Sequence, residues 1–416
     1  MTSAVPDAVT APPEEDPPGQ WAALALLSGA MVLAMTTWFS ASAALPQLVA
    51  EWRLSSTGAA WLTIAVQLGF VAGGLISAGF SLADVIAPKR LILLGATGAA
   101  TANLLLLAVT GPAPALVLRF LTGMFLAGVY PPALKEMATW FRRGRGTALG
   151  IMVGALTLGS ATPHLVNGLG GADWRVVIVV TSTLTLAGGA MTELTARDGP
   201  FPFPKAPFDP RQIGRALHNR GVRLASAGYF GHMWELYAMW AWFAAFYASA
   251  LSARAATDPQ VSASIATFAV IGVGLLGCWA GGILGDRWGR TRTTALAMGV
   301  SGTCSLIIGL LHGAPPWVLL TVGLIWGFWV VADSAQFSTM VTEVADQSYV
   351  GTALTLQLAI GFTLTVATIW LIPILRDALT WRWAFAFLAP GPLLGMLAML
   401  RLSRLPEAAA IAGGRG

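Results

Sequence analysis

Gly281-Gly282-Ile283-Leu284-Gly285-Asp286-Arg287-Trp288-Gly289-Arg290 is the stretch on which the reading of this chain turns. It ends one apolar run, 260–284, and leads into another, 293–312. A helix rising 1.5 Å per residue needs about 20 apolar residues to cross a bilayer core of about 30 Å, and both runs are long enough. A short charged segment between them is therefore a turn at a membrane surface. Its glycines let the chain reverse tightly and let helices approach closely. An aspartate there can accept hydrogen bonds from a neighbouring helix N-terminus and from arginine. Gly285, Asp286, Arg287, Gly289 and Arg290 are thus expected to form a gating latch between two helices.

The whole chain carries the same signature. Of 416 residues, 56% are hydrophobic and 10% charged, against roughly 25% charged in soluble domains. A soluble enzyme, a nucleic-acid-binding protein and a disordered chain are excluded together. Twelve apolar stretches of spanning length follow one another, at 21–48, 56–82, 90–110, 114–139, 147–170, 174–192, 224–250, 260–284, 293–312, 316–342, 350–374 and 381–402. Residues 1–20 are acidic and Pro-rich and read as a disordered tail with no basic segment typical of a signal peptide. With the N-terminus placed in the cytoplasm, eighteen of the 24 lysines and arginines fall in cytoplasmic segments, five in outer loops and Arg119 inside a span. This is the positive-inside distribution, and it predicts an inner-membrane protein with both termini cytoplasmic. Cys278 and Cys304 lie in apolar runs, so neither a disulfide framework nor a metal site is expected, and no cofactor is.

The Pro-rich segment 193–223 divides six spans from six, giving bundles at 21–192 and 224–402 and a tail at 403–416. Pieces of the first half recur in the second. Trp38-Phe39 returns as Trp242-Phe243, Asp84 as Asp286, Gly123 as Gly327, and Gly146-Thr147-Ala148-Leu149 as Gly351-Thr352-Ala353-Leu354. Two parallel halves with a site at their interface are a transporter architecture. The loop at 281–290 closely resembles the Gly-x-x-x-Asp-Arg-x-Gly-Arg signature of the major facilitator superfamily, and Arg119 to Gly128 resembles that family's Arg-x-x-x-Gly segment. The loop at 79–90 is a degraded copy. It keeps Asp84, Lys89 and Arg90 but has Val85 and Ala87 where the family has Arg and Gly. The resemblance implies an all-α fold of twelve transmembrane helices in two six-helix bundles, alternating access, and a monomer that moves a small molecule. It also implies that the first, fourth, seventh and tenth spans line the cavity. Glu136 and Arg143 resemble the Glu-x6-Arg element of sugar porters and are read as a second latch.

Charges inside the hydrocarbon are the strongest functional candidates, since each costs at least about 2.5 kcal/mol at the bilayer centre. Glu235 and His232 stand three apart on one face of the seventh span. A carboxylic acid in hydrocarbon favours its neutral form and a histidine titrates near neutrality. Glu235 is expected to carry a proton with His232 assisting, and Asp333 in the tenth span is the rival carrier. Arg119 is a candidate contact for an anionic solute, alongside Tyr130, Trp38, Trp234, Tyr237 and Gln336. A structural role for Arg119 inside its own bundle is the competing reading. Gln67 and Gln357 are read as interhelical glue.

The subfamily stays open. The stretch 128–135 with Trp140-Phe141 resembles nitrate/nitrite and cyanate-type permeases, but the paired arginines of nitrate porters are absent. Gly150, Gly154, Gly159 and Pro163 resemble the antiporter element of drug exporters without its Gly-Pro dipeptide. The expected function is proton-coupled secondary transport of a small organic, in one reading anionic, solute. The alternatives are a drug or metabolite exporter working as a proton antiporter, or a receptor that kept the fold. No phosphate-cradling loop is present, so ATP is not the direct driver, and no catalytic constellation suggests an enzyme.

Overall fold

The structure, a computed structural model, describes residues 17–142, 144–169, 173–201 and 208–416. Twelve helical spans run in sequence. In the first half they are 20–52, Ser56–Gly79, Pro88–Ala108, Pro112–Ala138, Arg145–Leu169 and Trp174–Thr195. In the second half they are Arg220–Ser252, Pro259–Trp288, Arg290–Ile308, Pro316–Val344, Val350–Leu379 and Trp381–Leu402. Nine of these, among the described residues, are long and apolar enough to cross a membrane. The first falls short because its opening helix stops at Ala34. The seventh holds His232 and Glu235, and the ninth is rich in Thr and Ser.

Several spans are broken. The first turns through residues 35–39, the fourth between Leu126 and Tyr130, and the tenth at Asp333. Broken backbone at membrane depth must have its freed polar groups satisfied by protein, and the breaks therefore mark where polar side chains gather. Each half packs within itself, the first span against the fifth and sixth and the seventh against the eleventh and twelfth. The halves meet along two helix pairs, fifth with eighth and second with eleventh.

The basic loops, the linker and both ends of the described chain lie on one side, called the basic face below. The first span opens at Gln20, and Trp21 meets Phe141 edge-on at 5.5 Å on that face. Residues 1–16 of the expected tail and 202–207 of the linker lie outside the described residues. The rest of the linker carries a short helix, Ile213–His218. Residues 406–416 are not a loose extension, since Ile411 is fully buried.

Candidate functional site

The break in the first span sets the arrangement of the first half. Arg119 is fully buried, and its guanidinium donates to the carbonyls of Thr37 at 3.1 Å and Trp38 at 2.5 Å, to Ser40 Oγ at 3.1 Å and to Asn103 Oδ1 at 3.0 Å. Asn103 in turn donates to Ser182 Oγ at 3.0 Å. An arginine fork matches such a fan of acceptors because its five donors are fixed in one plane. These bonds satisfy carbonyls that the break frees, and they turn Arg119 away from the interface between the halves. The expectation that Arg119 receives an anionic solute is corrected on this ground: its donors are engaged inside its own bundle.

At the same depth the halves meet through rings. Trp38 stacks on Tyr237 with centroids 5.9 Å apart, and Phe70 lies 4.8 Å from Trp38 and 4.6 Å from Phe362. Phe39 meets Trp240 edge-on at 5.7 Å. All six rings are buried. On the side opposite the basic face is a cavity of about 280 Å³ lined by Ser42, Ala59, Trp242 and Arg376. Toward the basic face is another of about 260 Å³, lined by Gly74, Asp84, Lys135 and Thr355. Of the predicted contacts, Trp38 and Tyr237 belong to this aromatic layer, and Tyr130 sits half-buried where the fourth span resumes. Trp234 does not belong there. Its ring packs on Phe387 of the twelfth span, and its Nε1 donates to the Phe387 carbonyl at 3.3 Å. Position 234 lies three residues before Tyr237, about 60° away on a helix of 3.6 residues per turn, and that rotation carries it to the outer side of its bundle. Phe70 and Phe362 escaped the sequence reading because one phenylalanine among apolar neighbours carries no signal.

The buried charges of the second half divide into two groups. His232 Nδ1 lies 2.9 Å from Asp333 Oδ1, and its Nε2 is 2.9 Å from Ser334 Oγ. Asp333 and Ser334 stand at the break of the tenth span, so the break presents its polar residues to the seventh. Glu235 accepts from Ser301 Oγ at 2.8 Å and from Trp326 Nε1 at 2.7 Å, within its own bundle. The expected pairing of Glu235 with His232 is thus corrected, as His232 engages Asp333. Ser301 and Trp326 gave no sign of this in the sequence.

On the basic face, Asp286 lies over the start of the fifth span. A Cβ on Gly146 would come within 2.4 Å of Asp286 Oδ1, and Thr147 Oγ1 donates to Oδ2 at 3.3 Å. Arg290 holds Asp286 from its own helix at 3.1 Å, bonds Glu343 through Nε at 3.1 Å, and donates to Gln336 Oε1 at 2.7 Å. A Cβ on Gly285 would come within 2.4 Å of Gln336 Oε1 and push that amide aside. Gly289 adopts φ 109°, a left-handed conformation that favours glycine. Gly285, Asp286, Gly289 and Arg290 thus come together at this turn, against the fifth and tenth spans, and two expectations differ. Arg287 is solvent-exposed, pointing away because it follows Asp286 by one residue. Gln336 is a latch residue rather than a substrate contact, its amide being held by Arg290 and by the Gly281 carbonyl at 3.2 Å.

In the degraded copy, Asp84 pairs with Lys135 at 2.5 Å rather than with the basic pair that follows it. Arg90 is exposed and Lys89 half-buried. Glu136 is buried with Asp198, Lys89 and Lys135 around it, and Arg143 lies outside the described residues. No group of three or more potential metal ligands occurs among the described residues.

Known proteins share this fold. A bacterial homologue of the human lysosomal transporter Spinster, solved in an inward-facing and unoccupied conformation, matches 95% of this chain and 98% of its own with a TM-score of 0.65. At 14% identity that likeness speaks for the fold alone. In sequence, a probable actinorhodin transporter of Streptomyces coelicolor is 28% identical over 53% of this chain and 41% of its own length. The puromycin resistance protein pur8 of Streptomyces alboniger is 30% identical over 44% of this chain and 36% of its own. The multidrug efflux pump LfrA of Mycolicibacterium smegmatis is 30% identical over 47% and 39%. The chain spans about two fifths of the length of the curated relatives it matches. Residues 27–367 match the family model described as Major Facilitator Superfamily, and with that match laid over twelve spans in two bundles, the chain belongs to this superfamily of multi-pass membrane transporters.

Proposed function

We propose that this protein is a proton-coupled secondary transporter that expels a small organic compound by alternating access. The observation that carries the reading is the buried contact of His232 with Asp333 at the break of the tenth span. Two ionisable groups removed from water persist only when they compensate each other. A proton arriving on Asp333 removes the carboxylate charge that faces His232 and releases the break from the seventh span. Ala332, next to Asp333, packs on Gly281 of the eighth span, and the Cys278 carbonyl of that span lies against Gly150 of the fifth. A local change in charge thus bears on the contact between the halves. Glu235, held by two donors, serves as a support of the bundle more than as the carrier.

Outward transport is favoured by the relatives, whose names describe a transporter, a resistance protein and an efflux pump. The anionic solute loses its main support with Arg119. The basic face is read as cytoplasmic, with both termini there, in the inner membrane, and the protein as a monomer.

The test uses proteoliposomes loaded with a candidate compound under an imposed proton gradient. Asp333→Asn should abolish gradient-driven movement by at least about tenfold while sparing counterflow exchange, and Glu235→Gln should keep coupling and lose thermal stability. Full gradient-driven transport by Asp333→Asn would overturn the assignment, and absence of any flux in the wild type would favour a receptor.

A further inference from the structure

We infer that the aromatic layer is a recognition platform for a planar, uncharged aromatic compound bearing carbonyl or similar acceptor oxygens. This rests on the transport reading only in supposing that the layer opens to a solute. The argument comes from what the layer leaves unpaired. Trp38 Nε1 and Trp240 Nε1 are buried and have no hydrogen-bond partner, and neither do the amide oxygen and nitrogen of Gln67. Thr63, Gln67 and Phe70 share one face of the second span by their spacing. Thr63 meets Ser42, and Phe70 meets Trp38 and Phe362, which places Gln67 beside the layer.

Buried polar groups in proteins are nearly always bonded, and an orphan is costly. The other indoles of this region follow that rule, Trp242 donating to the Ile369 carbonyl at 2.9 Å and Trp326 to Glu235. Two indole donors and one amide left free among stacked rings fit a ligand that stacks and accepts. The unpaired indole N–H groups are donors, and so call for a ligand with acceptor atoms among the rings.

Equilibrium binding to the purified full chain in lipid nanodiscs tests this without requiring transport. The probes are tritiated 9-fluorenone, its carbonyl-free analogue fluorene, and the cation acridine orange. Fluorenone should bind about tenfold more tightly than fluorene. Trp38→Phe and Trp240→Phe, which keep a ring and remove the donor, should each weaken fluorenone about five-fold and leave fluorene unchanged. Equal binding of the two tricycles, indifference to both substitutions, or tighter binding of acridine orange overturns the inference. Such binding in a protein that moves no solute would defeat the transport reading alone, and transport without these preferences would defeat this one alone.

A separate observation carries a second inference: the geometry points to residues 406–416 as a strap that holds the latch closed. Ala412 N–H donates to Glu343 Oε2 at 3.2 Å, Arg415 bonds the Asp286 carbonyl, and Thr291 N–H donates to the Gly416 carbonyl at 3.2 Å. A Cβ on Gly289 would lie 2.6 Å from the Arg415 carbonyl oxygen, so the glycine of the latch is also the cradle of the strap. Cys278, buried near the contact of the eighth span with the fifth, is a native reporter. In a Cys304→Ala background, Ile411→Asp and the milder Arg415→Ala should each speed modification of Cys278 by N-ethylmaleimide about three- to five-fold. Wild-type rates in both, whatever their thermal stability, overturn the strap.

Discussion

The two copies of one loop motif have come to do different work. In the second half Asp286 reaches across to Gly146 and Thr147 of the fifth span and is steadied by Arg290. In the first half the matching partner would be Gly351-Thr352 of the eleventh span. Asp84 instead stays in its own bundle with Lys135, and Thr352 Oγ1 accepts from the Asp209 N–H of the linker at 2.9 Å. The cavity of about 260 Å³ lies at that unlatched corner. The two turns differ in glycine and arginine. Arg290 follows Asp286 by four residues, across the turn at Gly289 that separates the eighth span from the ninth, and Pro88 stands at the equivalent place after Asp84. A proline has no charge to offer and begins a new helix there. The duplicated scaffold therefore has one corner of the basic face bridged between the halves by Asp286 and one where Asp84 makes no such bridge.

Removing the lock should have the largest effect. Asp286→Asn is expected to speed Cys278 modification about tenfold and to slow transport, while leaving equilibrium binding of fluorenone unchanged. Normal transport with unchanged labelling would show that the corner is held by packing alone.

Building the missing lock should act in the opposite direction and less strongly. Ala87→Gly with Pro88→Arg supplies the turn and the arginine that the first half lacks. Labelling of Thr355→Cys, which lines the open corner, should fall about three-fold. No change would mean that Lys135 already satisfies Asp84 completely.

The Asp84–Lys135 pair is partly exposed, with side chains at 21% and 19%. Its coupling energy in a double-mutant cycle of Asp84→Asn and Lys135→Met should be about 1 kcal/mol or less, after allowance for solvent screening. A larger value would make this pair a lock in its own right.

The smallest effect concerns Asp346, just before the eleventh span. Hydrogen bonds from Ser348 hold its carboxylate below the ordinary value of 3.8. A group depressed on folding contributes stability above its unfolded value, and that contribution fades as pH falls through the folded one. Between pH 8 and 5 wild type should be more thermally stable than Asp346→Asn by a small margin that does not change with pH. That margin should disappear only on acidification below about pH 4, and one that varied near neutrality would point to another group.

The spans and the charged turn at 281–290 could be read from residues alone because each depends on local composition or short spacing. Twenty apolar residues have few options in a bilayer, and Asp286 and Arg290 are brought together by the tight turn at Gly289 between two helices. Arg119, Glu235, His232 and Asp333 stood out in the same way, as charges where charges are costly. What each of them does was not legible. Arg119 faces the break of its own bundle, His232 meets Asp333 rather than Glu235, Trp234 turns outward, and Gln336 serves the latch. Those choices depend on where helices kink and how they rotate about their axes. A rotation of one residue, about 100°, exchanges an interface for a bundle interior or a lipid-facing surface. Sequence determined that the chain spans a membrane in two related halves with a charged turn between helices. Only tertiary packing decided which donors are spent inside a bundle and which are left free between the halves, because that depends on long-range partners that no spacing along the chain encodes.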